Sequence, residues 1–173
     1  VCVNSRLAAD AVGATKMDRP EWCAVNPANG EIYFTLTNNS NRSIDPTGSQ
    51  YLPDASNPRA YTDMKGTSKQ NGNPNGHLVR LKEGASVSSF SWDVYLFGAE
   101  AGADKSLVNI SALTADQDFS SPDGLVFSKA TGICWIQTDD GAYTDVSNCM
   151  MLAAVPGQVG DGGKKTLSYT KAD

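Results

Sequence analysis

Between Glu31 and Thr37 apolar and polar positions alternate, the period of two that sets successive side chains on opposite faces of a strand. Trp22–Val25 precedes this run across a Pro/Asn/Gly turn, so the two predict a hairpin. A second hairpin is predicted over Gly76–Leu81 and Ser91–Phe97, around Lys82-Glu83-Gly84. Its later counterpart is Asn148–Val155 with Thr166–Thr170, around a Gly-rich turn. Val1–Val12 reads as a short lead-in strand and a helical turn around Arg6–Ala11. Asn38–Gly76, rich in Asn, Pro, Gly, Ser and Asp, keeps no period and reads as a long insertion loop. Loops of that length within a domain are often functional.

The pattern repeats. Pro20-Glu21-Trp22-Cys23-Ala24-Val25 through Ile32-Tyr33-Phe34 recurs without gaps as Pro122-Asp123-Gly124-Leu125-Val126-Phe127 through Cys134-Trp135-Ile136. Each unit opens on Pro and an acid, turns at Gly and continues in a β-branched and aromatic strand. The expected fold is therefore all-β within one domain, 1–173, built of antiparallel four-stranded blades as a partial β-propeller of about two blades. The first blade spans 20–97 with its insertion loop at 40–75, a connector spans 98–119, and the second blade spans 120–170. Rings close with about four to eight blades, so this chain is expected to be a piece of a longer protein or to associate. Trp22, Tyr33, Phe34, Trp135 and Ile136 are too apolar to be left in water.

Composition narrows the chemistry. The 16 Gly and 8 Pro favour turn-rich β structure, and the net charge of -5 argues against nucleic acid as a partner and suits cations. No apolar run is long enough to span a bilayer, and no charged-then-apolar signal opens the chain. Cys2, Cys23, Cys134 and Cys149 lack a close CxxC spacing, which argues against a zinc cluster. Cys23 and Cys134 read as small buried hydrophobes, with a disulfide left open. His77 is the only histidine, so a His-rich metal cluster is excluded and a loop-bonding role is expected.

In a propeller the first strand of each blade lines the central channel, and Glu21 and Asp123 stand at the start of that strand in each repeat. Such a pair could hold a hard cation such as Ca²⁺, or each acid could cap its own turn after proline. In Met17-Asp18-Arg19-Pro20-Glu21 an Arg joins the acids, and its planar donor fork matches a phosphate. The alternative is an Asp18–Arg19 surface ion pair. Asn38, ending the first hairpin, is a weaker metal candidate, and Asp139-Asp140-Gly141 reads first as a hairpin turn. No GxSxG, P-loop or Ser/His/Asp signature occurs.

Met17-Asp18-Arg19-Pro20-Glu21-Trp22, Ala24-Val25-Asn26-Pro27, Gly30-Glu31-Ile32-Tyr33, Thr35-Leu36-Thr37-Asn38-Asn39, Asn73-Pro74, Gly76-His77, Phe90-Ser91-Trp92-Asp93 and Phe119-Ser120-Ser121-Pro122-Asp123-Gly124-Leu125 together resemble the PhoX-type bacterial alkaline phosphatases. The resemblance implies a six-bladed propeller enzyme, exported folded by the twin-arginine route to the periplasm or beyond, that hydrolyses small-molecule phosphate esters with iron and calcium at the channel mouth. It implies that this chain is a C-terminal part lacking the N-terminal blades, whose cysteine ligand to iron is not Cys23, and the closing C-terminal segments. Carried over residue by residue, Glu21 would be a metal ligand and Arg19 a phosphate contact, both catalytic; Asp123 is a candidate metal ligand supported by the repeat. Two other readings remain: a calcium-dependent lactonase-like propeller hydrolase, and a non-catalytic propeller segment that serves as an interaction surface.

Overall fold

The computed structural model describes residues 3–157 except Val87, Asp140, Ala142, Thr144 and Ser147. The described chain is mostly β, in antiparallel sheets, with one short helix. That helix, α1 (Ser5–Ala11), is built from Ala, Leu and Arg, strong helix formers, and ends at Gly13 with φ +64°. It buries no residue. Among the described residues the expected lead-in strand is absent: Val3 and Asn4 lie in a bend that runs straight into the helix, because Asn4 already offers its carbonyl to Ala8 N–H.

The first sheet is an antiparallel meander of β1 (Pro20–Val25), β2 (Ile32–Leu36), β5 (His77–Glu83) and β6 (Phe90–Phe97), in that order. Between β2 and β5 the expected loop instead contains a hairpin, β3 (Tyr61–Lys65) and β4 (Ser68–Gly72). Its two-residue turn has Gly66 at φ +58°, the conformation the first central position of a tight hairpin turn requires. Polar residues on both faces hide the alternation that would have announced it. The second sheet runs β7 (Pro122–Phe127), β8 (Cys134–Thr138), β9 (Met151–Ala154). The strand expected at Thr166–Thr170 lies outside the described residues. The connector folds back on itself, with Ala99 bridged to Phe119.

The repeat seen in the sequence is a repeat of geometry. One constant offset carries Pro20 onto Pro122 and every pairing of β1 with β2 onto a pairing of β7 with β8: Cys23↔Phe34 onto Leu125↔Ile136, Val25↔Ile32 onto Phe127↔Cys134. The same offset superposes a register shift after each proline, the turn glycines Gly30 (φ +74°) and Gly132 (φ +72°), and two left-handed non-glycine residues, Arg19 (φ +52°) and Ser121 (φ +53°).

The two sheets pack face to face. Tyr33 and Leu78 from one meet Leu125, Phe127, Cys134 and Ile136 from the other, with Phe119 and Leu113 closing the core. Tyr33 meets Phe127 edge-on at 5.0 Å between ring centres. Thr35 Oγ1 donates to Asp123 O at 2.8 Å and Thr37 Oγ1 to Pro122 O at 2.9 Å, so β2 is hydrogen-bonded to the start of β7. Cys134 is buried as expected, but Cys23 is exposed. On β1 its side chain takes the face opposite Ala24, and only the Ala24 face meets the core.

Candidate functional site

Arg19 immediately precedes β1, and its left-handed backbone is a conformation that costs a non-glycine residue roughly 1–3 kcal/mol. Arg19 N–H donates to Met17 O at 3.0 Å and Arg19 O accepts from Thr37 N–H at 3.1 Å, so the turn is held on both sides. It turns the side chain back over the strand it opens. Arg19 Nε donates to Glu21 Oε1 at 2.9 Å, Nη1 to Asn38 Oδ1 at 3.4 Å and Nη2 to Asp139 Oδ2 at 3.4 Å. Two of the three contacts are long and therefore weak, and the guanidinium is about half exposed, at 49%. Its outer donors can pass to an incoming anion at little cost.

Asp123, the counterpart of Glu21, stands next to this group. Its carboxyl is held above the ordinary carboxylate range, first by burial and then by the negative charges of Glu21 and Asp139, against the opposing pull of Arg19. Glu21, Asp123 and Asp139 thus crowd more negative charge than one guanidinium offsets. Beside them opens a cleft of about 490 Å³ lined by Trp22, Asp123, Gly124, Gln137, Asp139 and Met151 among others.

Asp18 and Asp139 behave otherwise than the sequence led one to expect. Asp18 forms no surface pair with Arg19; it is fully buried and paired with Arg42 Nε at 2.6 Å, because its N–H is captured by Asn57 Oδ1 and its chain turns inward. Asn38 turns its oxygen to Arg19 and its nitrogen to Ser121 Oγ at 3.5 Å. Asp139 is not a tight-turn residue, because β8 and β9 are joined by residues 139–150 rather than by two. Sequence reasoning missed its place beside Arg19. The signal was the repeat itself, which aligns Asp139 with Thr37: Asp139 N–H donates to Ser121 O at 2.9 Å just as Thr37 N–H donates to Arg19 O.

His77 lies elsewhere, fully buried, with Nδ1 against Asn73 Nδ2 at 3.0 Å and Nε2 against Ser56 O at 2.7 Å. A carbonyl can only accept, so Nε2 carries the proton and Nδ1 accepts. It ties the 40–75 segment to β5.

A family model described as alkaline phosphatase PhoX matches residues 1–170. The chain belongs to the alkaline phosphatase PhoX family. Among solved structures it is similar to Pseudomonas fluorescens PhoX in complex with vanadate, a transition state analogue, at 33% identity and a TM-score of 0.68. That match covers 92% of this chain and 26% of the other, so the chain spans about a quarter of the length of its solved PhoX relative. A comparison with curated proteins finds no match.

Metal ligation can be weighed on the donor set alone. Glu21 and Asp123 offer hard carboxylate oxygens, and the negative charge of Glu21 and Asp139, which adds to burial in raising the Asp123 carboxyl, is charge a divalent cation would neutralise. This chemistry fits Ca²⁺. Among the described residues no group of three or more His, Cys, Asp and Glu is placed to hold a metal ion, so a full shell would need oxygens beyond these two. No imidazole joins it, since His77 is committed to Asn73 and Ser56.

Proposed function

We propose that the protein carrying this chain is a metal-dependent alkaline phosphatase that hydrolyses phosphate monoesters, and that this chain supplies part of its site. The observation that carries the reading is Arg19: a half-exposed guanidinium on a strained turn, weakly held by Asn38 and Asp139, beside carboxylates that outweigh it in charge. Family membership supports the reaction class, and the vanadate complex of the Pseudomonas relative supports a trigonal phosphoryl group as what the family's site is shaped to hold.

In this reading Arg19 releases Asn38 and Asp139 and donates in pairs to the non-bridging oxygens of the phosphoryl group, while Glu21 keeps Nε fixed and so keeps the fork aimed. Glu21 and Asp123 would hold Ca²⁺, and a bound cation there would neutralise developing phosphoryl charge. Iron belongs to the same proposal through the family resemblance, its selecting ligands lying outside this chain. The two sheets are read as neighbouring blades of a six-bladed propeller, because each is a meander whose innermost strands, β1 and β7, lie side by side with their acids at one end. Export to the periplasm or beyond goes with that reading. Among the described residues no helix is long and apolar enough to cross a membrane.

The test uses the full-length protein. Glu21→Gln should lower both metal content and phosphate monoester turnover, whereas Arg19→Ala should keep the metals and lose on the order of 10²-fold in rate. Elemental analysis for calcium and iron separates the two effects. Wild-type turnover in both variants overturns the assignment, and strong hydrolysis by the purified 173-residue chain overturns the view that the site is completed from outside it.

A further inference from the structure

The residues just before Arg19 lead into one buried network. Asp18, its neighbour, is fully buried; its carboxylate accepts from Arg42 Nε at 2.6 Å, Asn39 Nδ2 at 2.8 Å and Asn73 Nδ2 at 3.0 Å. Its N–H donates to Asn57 Oδ1 at 2.9 Å. Arg42, also buried, spends its remaining donors on Leu52 O at 2.7 Å, Asp54 Oδ2 at 3.1 Å and Lys16 O, two residues before Asp18. Arg42, Asn57 and Asn73 all come from the segment between β2 and β5. That segment therefore grips 16–18 from several sides, immediately before the strained residue.

The second repeat supplies a control within the same molecule. Ser121 takes the same left-handed conformation as Arg19, and the carbonyl of each accepts from the matching N–H, Asp139 or Thr37; but Ser121 N–H is anchored on the distant Asn75 O, whereas Arg19 N–H bonds Met17 O within the 16–18 segment itself. The residue aligned with Asp18 is Ser120, which is buried and uncharged. A left-handed residue at this position thus needs no ion pair. The charged clamp occurs only where the turn bears the Arg. A buried ion pair is weak evidence for stability, since desolvation offsets most of its attraction, whereas several directional bonds converging on one carboxylate fix its place.

We propose that Arg42, acting through Asp18, is a positioning residue that fixes Arg19 in the geometry that meets the phosphoryl group, and that the insertion between β2 and β5 provides this clamp. The proposal rests on the phosphatase reading for its kinetic consequence only. With Arg42 gone, the 16–18 segment is free to relax, Met17 O, the acceptor of Arg19 N–H, moves with it, and Arg19 shifts from its left-handed turn so that the fork no longer points past Glu21. Misplacement of about 1 Å at a positioning contact costs on the order of 10²-fold.

In the full-length protein, Arg42→Ala should lower kcat for a phosphate monoester at least about tenfold and leave KM within about threefold, since the clamp matters most where the phosphoryl charge develops. Arg42 lines a cleft of about 250 Å³, which gives small ions a route in, so guanidinium at low millimolar concentration should restore kcat several-fold. Arg42→Lys, which keeps the charge without the fork, should recover less. A scaffold role alone would lower the melting temperature and leave kcat per folded molecule at the wild-type value, and that result overturns the proposal. Should Arg42→Ala fail to fold, Asn57→Ala removes the acceptor of Asp18 N–H and should show the same kcat loss; unchanged kcat there overturns the proposal equally. Crystal structures of Asn57→Ala and wild type read the Arg19 φ directly, with departure from +52° expected and retention counting against the clamp. A wild-type protein that does not hydrolyse phosphate esters would defeat the phosphatase reading, while the crystallographic result still decides the clamp.

Discussion

His77 shows how completely burial can decide the character of one side chain. Its imidazole is enclosed, faces the positive Arg59 and Arg42, and is only partly offset by Asp18 and Ser56 O; burial first and Arg59 second push its pKa down to about 4. A folded-state pKa below the unfolded one means that the unfolded chain takes up the proton first as pH falls. The contribution of His77 to stability is therefore complete above about pH 6.5 and is lost progressively down to about pH 4. Over that window it should remove roughly 3 kcal/mol, at about 1.4 kcal/mol per unit of pKa shift. Denaturant unfolding between pH 4 and 7 should show this decline in the wild type and a shallower one in His77→Gln. Parallel curves would show that the imidazole does not titrate as its surroundings require. The buried Arg80–Asp93 pair makes a different use of burial: two matched donor–acceptor contacts, at 2.9 and 2.5 Å, join β5 to β6 across the sheet, with the guanidinium over the Tyr95 ring at 5.0 Å.

At the scale of the element, the repeated hairpin makes a quantitative demand. Gly30 and Gly132 occupy the same left-handed turn position in the two repeats, and a Cβ at either would meet nothing within 4 Å. Alanine there pays only the conformational cost, about 1–2 kcal/mol, and the two substitutions should agree within about 0.5 kcal/mol of each other. Gly76 is a different case. It opens β5 at φ +64°, and a Cβ would lie 2.1 Å from Thr37 O and 2.4 Å from Leu36 O, both backbone atoms at the end of β2. Gly76→Ala must push β5 away from β2 and should cost at least twice what Gly30→Ala costs, read as the shift in denaturant midpoint. Equal costs at 30 and 76 would mean that the β2–β5 junction yields freely, and unequal costs at 30 and 132 would mean that the repeats share backbone shape without sharing energetics.

For the whole molecule the decisive fact is that each sheet leaves part of its outer face open, even though Val94 and Phe97 of the first sheet are covered there by Ile110 of the connector. On the first sheet Phe34, Val79, Leu81, Phe90 and Trp92 line an apolar cleft of about 260 Å³; on the second, Val126 and Met151 are exposed. Tyr33 and Ile136 are in the core, whereas Trp22 is largely exposed beside the cleft that Asp123 lines. At about 25 cal/mol per Å² of apolar surface, covering even a few hundred Å² is worth several kcal/mol. The isolated chain should accordingly associate at micromolar concentration, visible as concentration-dependent sedimentation, and Phe90→Lys with Met151→Lys should return it to monomer. A strictly monomeric wild-type chain with a cooperative thermal transition and no dye-accessible apolar surface would show that the two sheets are self-sufficient.

What the sequence determined by itself is what depends on local period and on repetition. Strand alternation placed β1, β2, β5 and β6, and the gapless match of 20–34 to 122–136 carried pairing register, turn glycines and the matched acids Glu21 and Asp123, because a hairpin is specified by residues near one another in the chain. The motif around Arg19 was legible for the same reason. Tertiary structure alone decided the rest. It turned Asp18 inward, since only the folded 40–75 segment brings Arg42 and Asn57 to it, and it exposed Cys23, since only packing says which face of β1 meets a neighbour. It brought Asp139 to Arg19 across 120 residues of chain, a distance over which no spacing rule operates, because that contact exists only once the two repeats lie side by side.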